Sequence, residues 1–235
     1  KPGPVSTQIV APEYMNDYVH TLISTFGILA DFSDDMRHLQ RTEIREVGEY
    51  FESDQVGSST MPHKRNPINY ENVKSMWKEF MPRMVTMYQD QLSEHQRDLS
   101  NSASSRFIPE TIVGLLLSVD RLKRVSKKMH IDKKEMMRNF NAHKEMIIAE
   151  PLYILLASKG HPDAHEKVRK LTLEAEAEDK KLRELVKEDD ELKPYLSDLS
   201  DRQCQILYNP ESYTGIAETK TETIVNQIKT EREIK

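Results

Sequence analysis

Between residues 13 and 47 apolar side chains recur at steps of three and four. Tyr14, Tyr18, Leu22, Phe26, Leu29, Phe32, Met36 and Leu39 form one stripe, with Asp, Glu and Arg on the opposite face. A stripe of that length predicts one long helix, and a long helix needs other helices to cover it. The composition points the same way. There are only 7 glycines in 235 residues, and Glu, Lys and Arg, all good helix formers, dominate the charged fraction. The expected fold class is all-α.

Further elements follow along the chain. Gly57, Pro62 and Pro67 break the pattern and predict a loop over 53–67. A second long helix is expected from about Tyr70 to Gln91, carried by Val73, Trp77, Phe80, Met84 and Tyr88 and bent at Pro82. The serines of 100–105 read as a turn and helix start, leading into a third long helix with Ile112, Leu115, Leu116, Val119, Leu122, Val125 and Met129. Shorter helices are expected after Asp132, one of them interrupted at Pro151. Lys159-Gly160-His161-Pro162-Asp163 supplies a helix stop and a fresh start. A boundary is placed there, between a central helical-bundle domain over 1–160 and a C-terminal helical domain over 161–235. No internal repeat and no strong strand alternation is present. Helices this long in a chain this short leave apolar faces to cover, so oligomerisation into a larger bundle is expected.

Charge and cysteine content narrow the function classes. The formal net charge of −5 (34 Lys+Arg, 39 Asp+Glu) argues against a general nucleic-acid binder, so an anionic ligand must be met by a local basic cluster. The single cysteine, Cys204, cannot form an internal disulfide, and no Cys/His cluster has metal-ligand spacing; a reducing, cytoplasmic setting without a metal is expected. No stretch approaches the ~20 apolar residues of a membrane span. The start, Lys1-Pro2-Gly3-Pro4, has no apolar signal core.

The loop Gly57-Ser58-Ser59-Thr60-Met61-Pro62-His63-Lys64-Arg65-Asn66-Pro67 concentrates chemistry: glycine freedom, hydroxyls, a cation pair and an amide within eleven residues. Such punctuation suits a segment that opens and closes, and Lys, Asn and backbone N–H groups suit a carboxylate. By composition alone, a solvated interhelical turn with capping serines is the better fit.

The order of these residues is more specific. GSSTMPHKRNP resembles the signature loop of the fumarase/aspartase superfamily, GSSxMPxKxNP, with every fixed position present. The resemblance implies an all-α homotetramer built around a central bundle, and β-elimination that releases fumarate without metal or organic cofactor. Within that superfamily the chain is most similar to the adenylosuccinate lyases over most of residues 5–160. Ser6-Thr7-Gln8 matches an element whose glutamine binds substrate. Ile68 to Glu71 continues the signature with the family's glutamate, and His95 to Arg106 resembles its phosphate-binding segment. The implied substrates are adenylosuccinate, giving AMP, and the succinyl-aminoimidazole-carboxamide ribotide, giving the carboxamide ribotide, in purine biosynthesis.

The resemblance also implies roles for individual residues. Ser58 is the expected general base, with Ser59 beside it. A serine hydroxyl is a poor base unless its alkoxide is stabilised, and Lys64 with backbone amides is the available source of positive charge. Lys64 and Asn66 suit the carboxylate on which negative charge builds. Glu71 is expected to orient a histidine, and Gln8, Ser59 and Met61 to contact substrate. Arg97, Ser102 and Arg106 offer two guanidinium forks and a hydroxyl fitted to a phosphate monoester. His63 stands at a variable signature position and is assigned no catalytic role. His95 belongs to the phosphate segment, and His143 and His165 read as solvated helix residues.

The chain carries no TGxxxxH-type element, and the family's general-acid histidine is expected outside it. The sequence therefore reads as a C-terminal portion, inactive by itself, of an enzyme whose sites are shared between subunits. Two further readings fit the loop: a 3-carboxymuconate cycloisomerase-like enzyme, whose substrate lacks phosphate, and a non-catalytic structural member of the superfamily.

Overall fold

The computed structural model describes residues 3, 5–51, 60–61 and 63–233. These form an almost entirely helical chain that divides into two compact units, Lys1–Met136 and Met137–Lys235. The 160/161 boundary expected from the Gly160 stop lies inside the second unit. Gly160 does end a helix there, at φ +85°, with the His161 N–H donating back to the Leu156 carbonyl at 3.0 Å. The helix it ends contributes Leu152, Leu155 and Leu156 to the second unit's core, so the stop is a turn within that unit.

The first unit is built on α1 (Glu13–Leu39), α2 (Ile68–Phe80), α3 (Arg83–Gln89) and α4 (Phe107–Lys128), with α1 packed against the other three. Two apolar clusters fill it: Val19, Ile23, Phe26, Phe80, Met84, Met87 and Leu115 at one end, and Met36, Val47, Tyr70, Val73, Leu122 and Val125 at the other. At the first of these, Gly114 of α4 lies against the Phe80 ring of α2 so closely that any β-carbon would overlap the ring. A glycine is required there by close approach rather than by backbone angle.

Three expectations need correction. The long helix ends at Leu39, not at 47. Residues after Gln40 turn back through Arg45, a non-glycine at φ 56°, into a two-residue strand β1 (Val47–Gly48) that pairs antiparallel with β2 (His130–Ile131). Two paired residues are too few to produce an alternation in sequence. The core face of α1 is also rotated from the stripe as read. Asn16, Val19, Ile23, Phe26, Ala30, Ser33 and Met36 are buried, whereas Tyr14, Tyr18 and Phe32 are exposed. Finally, the second long helix is broken rather than bent, because Pro82 lacks an N–H and becomes the first flanking residue of α3. The serine-rich turn is as expected, with a short 3₁₀ turn over Ser104–Arg106 leading into α4.

The second unit begins within α5 (Lys133–Ile147) and continues through α6 (Ala149–Ser158), α7 (Ala164–Glu178), α8 (Leu182–Glu188), α9 (Lys193–Leu196), α10 (Asp201–Tyr208) and α11 (Ala217–Glu233). Pro151 falls in the first turn of α6, where a missing N–H costs nothing. Ile148, Leu152, Leu156, Leu182, Leu192 and Leu207 are essentially inaccessible to solvent and form one continuous core. The start of α10 is fixed by a reciprocal cap, with Ser200 Oγ accepting from the Gln203 N–H and Gln203 Oε1 accepting from the Ser200 N–H.

Candidate active site

The signature residues within the described part of the chain lie at the start of α2. A turn closes as the Lys64 N–H donates to the Met61 carbonyl at 2.9 Å, and the Ile68 N–H donates to the Asn66 carbonyl at 2.9 Å. Met61 and Lys64 are exposed, Asn66 is partly buried, and Glu71 sits exposed in the first turn of α2. Ser58 and Ser59 lie outside the described residues.

What positions this start is not the residue just before it. Pro67 flanks α2 without a side-chain acceptor, so the first N–H groups of the helix need a partner from elsewhere. Glu49 supplies it. Its Oε1 accepts from the Asn69 and Tyr70 N–H groups at 2.8 and 3.0 Å, and its Oε2 accepts from Asn69 Nδ2 at 2.6 Å. A carboxylate at a helix N-terminus is favoured both by the free donors and by the helix dipole. Two further side chains extend the arrangement. Gln40, which caps α1, accepts the Glu49 N–H at 2.9 Å and donates to the Arg65 carbonyl at 3.3 Å, while Arg121 of α4 donates to Asn69 Oδ1 at 3.1 Å. Beneath them the Tyr70 hydroxyl is held above its ordinary pKa, chiefly by burial and secondarily by the negative charge of Glu49. Sequence reading missed Glu49, Gln40, Asn69 and Arg121. The one available signal was a helix start after proline with no local cap.

The second group of expected residues, Gln8 apart, belongs to the segment over 97–106 that leads into α4. Gln8 Oε1 accepts from the Arg97 backbone N–H at 3.0 Å, joining positions 89 residues apart. The Arg106 guanidinium donates to the Ser102 carbonyl at 2.6 Å, and Asp98 accepts from both the N–H and the hydroxyl of Ser100. Those bonds from Ser100 hold the exposed Asp98 carboxyl below the ordinary carboxylate range. Asn101 donates to the Asp90 carbonyl at 3.0 Å and so ties the segment to the end of α3. The side chains of Arg97 and Arg106 are exposed at this end. Among the described residues no group of three or more His, Cys, Asp and Glu could hold a metal ion.

Arg106 flanks the N-terminus of α4, whereas Arg121, which reaches Asn69, lies fifteen residues along it, about 20 Å at 1.5 Å per residue. The larger open groove of the first unit, about 400 Å³ between α2 and α4, is lined by Met76, Phe80, Pro109, Val113 and Leu117 among others and includes none of the candidate residues.

The family described as adenylosuccinate lyase C-terminal matches residues 93–214, and the family described as lyase matches residues 2–81. An adenylosuccinate lyase of Pyrococcus abyssi is 36% identical over 231 residues, covering 97% of this chain and 50% of the relative. One of Bacillus subtilis is 31% identical over 207 residues, covering 87% and 48%. The chain thus spans about half the length of the curated relatives it matches. Among solved structures, the 3-carboxy-cis,cis-muconate lactonizing enzyme of Pseudomonas putida superposes with a TM-score of 0.74 at 25% identity, over 93% of this chain and 48% of that one. A fumarate lyase of Mesorhizobium sp. BNC1 gives a TM-score of 0.75 at 18% identity, over 92% and 47%, which speaks for the fold alone. The chain belongs to the adenylosuccinate lyase C-terminal family.

Proposed function

We propose that this chain supplies two of the separate contributions to an adenylosuccinate lyase site, the proton-abstracting loop and the phosphate-binding segment. The full-length enzyme eliminates fumarate from adenylosuccinate to give AMP, and from the succinyl-aminoimidazole-carboxamide ribotide to give the carboxamide ribotide. Ser58 removes the proton from the carbon adjacent to the one that bears the departing nitrogen. Lys64 and Asn66 stabilise the negative charge that then builds on the neighbouring carboxylate, a stabilisation larger in the transition state than in the ground state. Glu71 orients a histidine, and a histidine outside this chain protonates the leaving nitrogen. Gln8, Ser59 and Met61 contact the substrate, while Arg97, Ser102 and Arg106 hold its phosphate. The proposed setting is the cytoplasm.

The observation that carries the reading is the hydrogen bond by which Gln8 Oε1 accepts from the Arg97 N–H, bringing together two of the residues assigned to substrate binding from positions 89 apart. The roughly 20 Å along α4 between Arg106, at its start, and Arg121, which reaches Asn69, supports a homotetramer in which each active site draws on several subunits. The exposed apolar side chains of α1 and α4, among them Tyr18, Phe32, Val113, Leu116 and Leu117, support the same assembly, because a lone unit would leave them in water. The isolated chain is then inactive.

The test is the ultraviolet change as full-length enzyme converts adenylosuccinate to AMP, with Ser58→Ala as the decisive variant. Loss of about three orders of magnitude in kcat is expected for a missing base, within the ~10²–10⁴-fold range of such groups. A mild effect removes Ser58 from the role. The likeness to the muconate enzyme favours a second reading as a cycloisomerase. Its substrate has no phosphate, so Arg97→Ala and Arg106→Ala would spare that activity and cripple a nucleotide lyase.

A further inference from the structure

The segment that separates β1 from α2 carries the signature residues, and its two stems are joined by side chains that the reaction does not use. On the entry side stands Glu49, one residue after β1; on the exit side stand Arg65, Asn69 and Tyr70. Glu49 reaches across with both carboxylate oxygens, and Gln40 bonds the Glu49 N–H and the Arg65 carbonyl at once. We infer that Glu49 is a positioning residue for the elimination: by clasping Asn69 and Tyr70 to the end of β1, it sets the start of α2 and hence the placement of Lys64, Asn66 and Glu71. The kinetic part of this inference rests on the function proposed above.

The hydrogen-bond polarity of the clasp is fixed from end to end. Arg121 can only donate, so Asn69 must present Oδ1 to it and Nδ2 to Glu49. Glu49 must therefore accept from the Asn69 side chain with one oxygen while the other accepts from two backbone N–H groups. Glu49→Gln keeps the shape but puts an NH₂ group where an acceptor is needed. Either it faces Asn69 Nδ2, or it faces the backbone donors, or Asn69 turns over and faces Arg121 with a donor. Asn69→Asp alone sets one carboxylate against another. Combined, the two substitutions restore every pairing with the polarity inverted. The amide oxygen introduced at position 49 accepts from the backbone, its NH₂ donates to the carboxylate introduced at position 69, and that carboxylate still accepts from Arg121. A misplacement on the order of 1 Å at the reacting groups costs up to about 10²-fold in rate, so the clasp has a kinetic signature.

The experiment compares full-length wild type, Glu49→Gln, Asn69→Asp and the double variant by steady-state fumarate release and by amide hydrogen exchange. Each single variant is expected to lose roughly 10–100-fold in kcat with a much smaller change in KM. Each should also exchange the backbone amides of positions 69 and 70 about tenfold faster or more. The double variant is expected to return to within about threefold of wild type in both readouts. Single variants with wild-type kcat and wild-type exchange would overturn the inference, as would a double variant no better than its worse parent. A wild-type enzyme that released no fumarate would sink the proposed reaction instead, and the exchange pattern would then decide the clasp by itself.

Discussion

The two ends of the first unit are held in different ways. At the signature end Gln40 at the end of α1 and Glu49 after β1 bond the backbone, while Arg121 on α4 holds the Asn69 side chain. At the end proposed to bind phosphate the bonds of Asp98 to Ser100 and Arg106 to Ser102 are local, and among the described residues Gln8 and Asn101 tie the segment to distant parts of the chain. The contrast matches the demands proposed for each. Groups that meet a transition state lose rate when displaced by fractions of an ångström, whereas guanidinium groups on flexible stems adapt to a phosphate.

The sharpest test of that contrast is a split in kinetic effect between the ends. Lys64→Ala is expected to lower kcat of the full-length enzyme by about 10²–10³-fold with KM nearly unchanged, the loss typical of one prearranged donor. Arg97→Ala or Arg106→Ala should act mainly on KM, raising it by about 10–100-fold, since a charge-assisted bond to phosphate is made in ground and transition states alike. Equal kcat losses at both ends would erase the distinction.

A smaller effect probes the scaffold between them. Gly114→Ala places a methyl inside the Phe80 ring, and the packing must shift; destabilisation of about 1–3 kcal/mol is expected, read as a lower denaturation midpoint. A variant as stable as wild type would show that α2 and α4 can part freely. The smallest effect concerns Asp34, whose carboxyl is lowered from 3.8 to about 2 by its bonds to Lys74, at 2.7 Å, and to Arg37. Because the folded value lies below the unfolded one, the contribution is present above about pH 4 and is lost as pH falls through about 2. Asp34→Asn should flatten acid unfolding in that window, measured by circular dichroism.

How much of this was readable in the sequence follows from the range of each interaction. The helices were readable because their apolar spacing is local, and Gly160 marked a real stop, whereas Pro82 was read as a bend and proved to be a break. The rotation of α1 was not, since the tyrosines and Phe32 look like core until one sees that Val19, Ile23 and Ala30 do the packing in a single chain. The turn at Arg45 and the two-residue β1 left no periodic trace. The signature residues and those proposed for the phosphate were singled out only through a resemblance, and nothing in their order says that Asn69, beside the signature, reaches Arg121 of α4 while Arg106 flanks its start. Glu49 was invisible for a related reason: it caps a helix that begins about twenty residues later, and several glutamates nearby could have done so on composition alone.

On the proposed reading, one chain holds two contributions that serve different active sites, each completed by neighbouring subunits. Full-length Lys64→Ala and Arg97→Ala enzymes, each of low activity when substrate is held well below the KM of the Arg97→Ala enzyme, can be dissociated, mixed and reassembled, and fumarate release measured under that condition. Random reassembly should restore activity to on the order of a quarter of the sites, those drawing both intact contributions from different subunits. Mixtures as inactive as their parents, despite demonstrated subunit exchange, would mean that both contributions come from the same chain and would contradict the account.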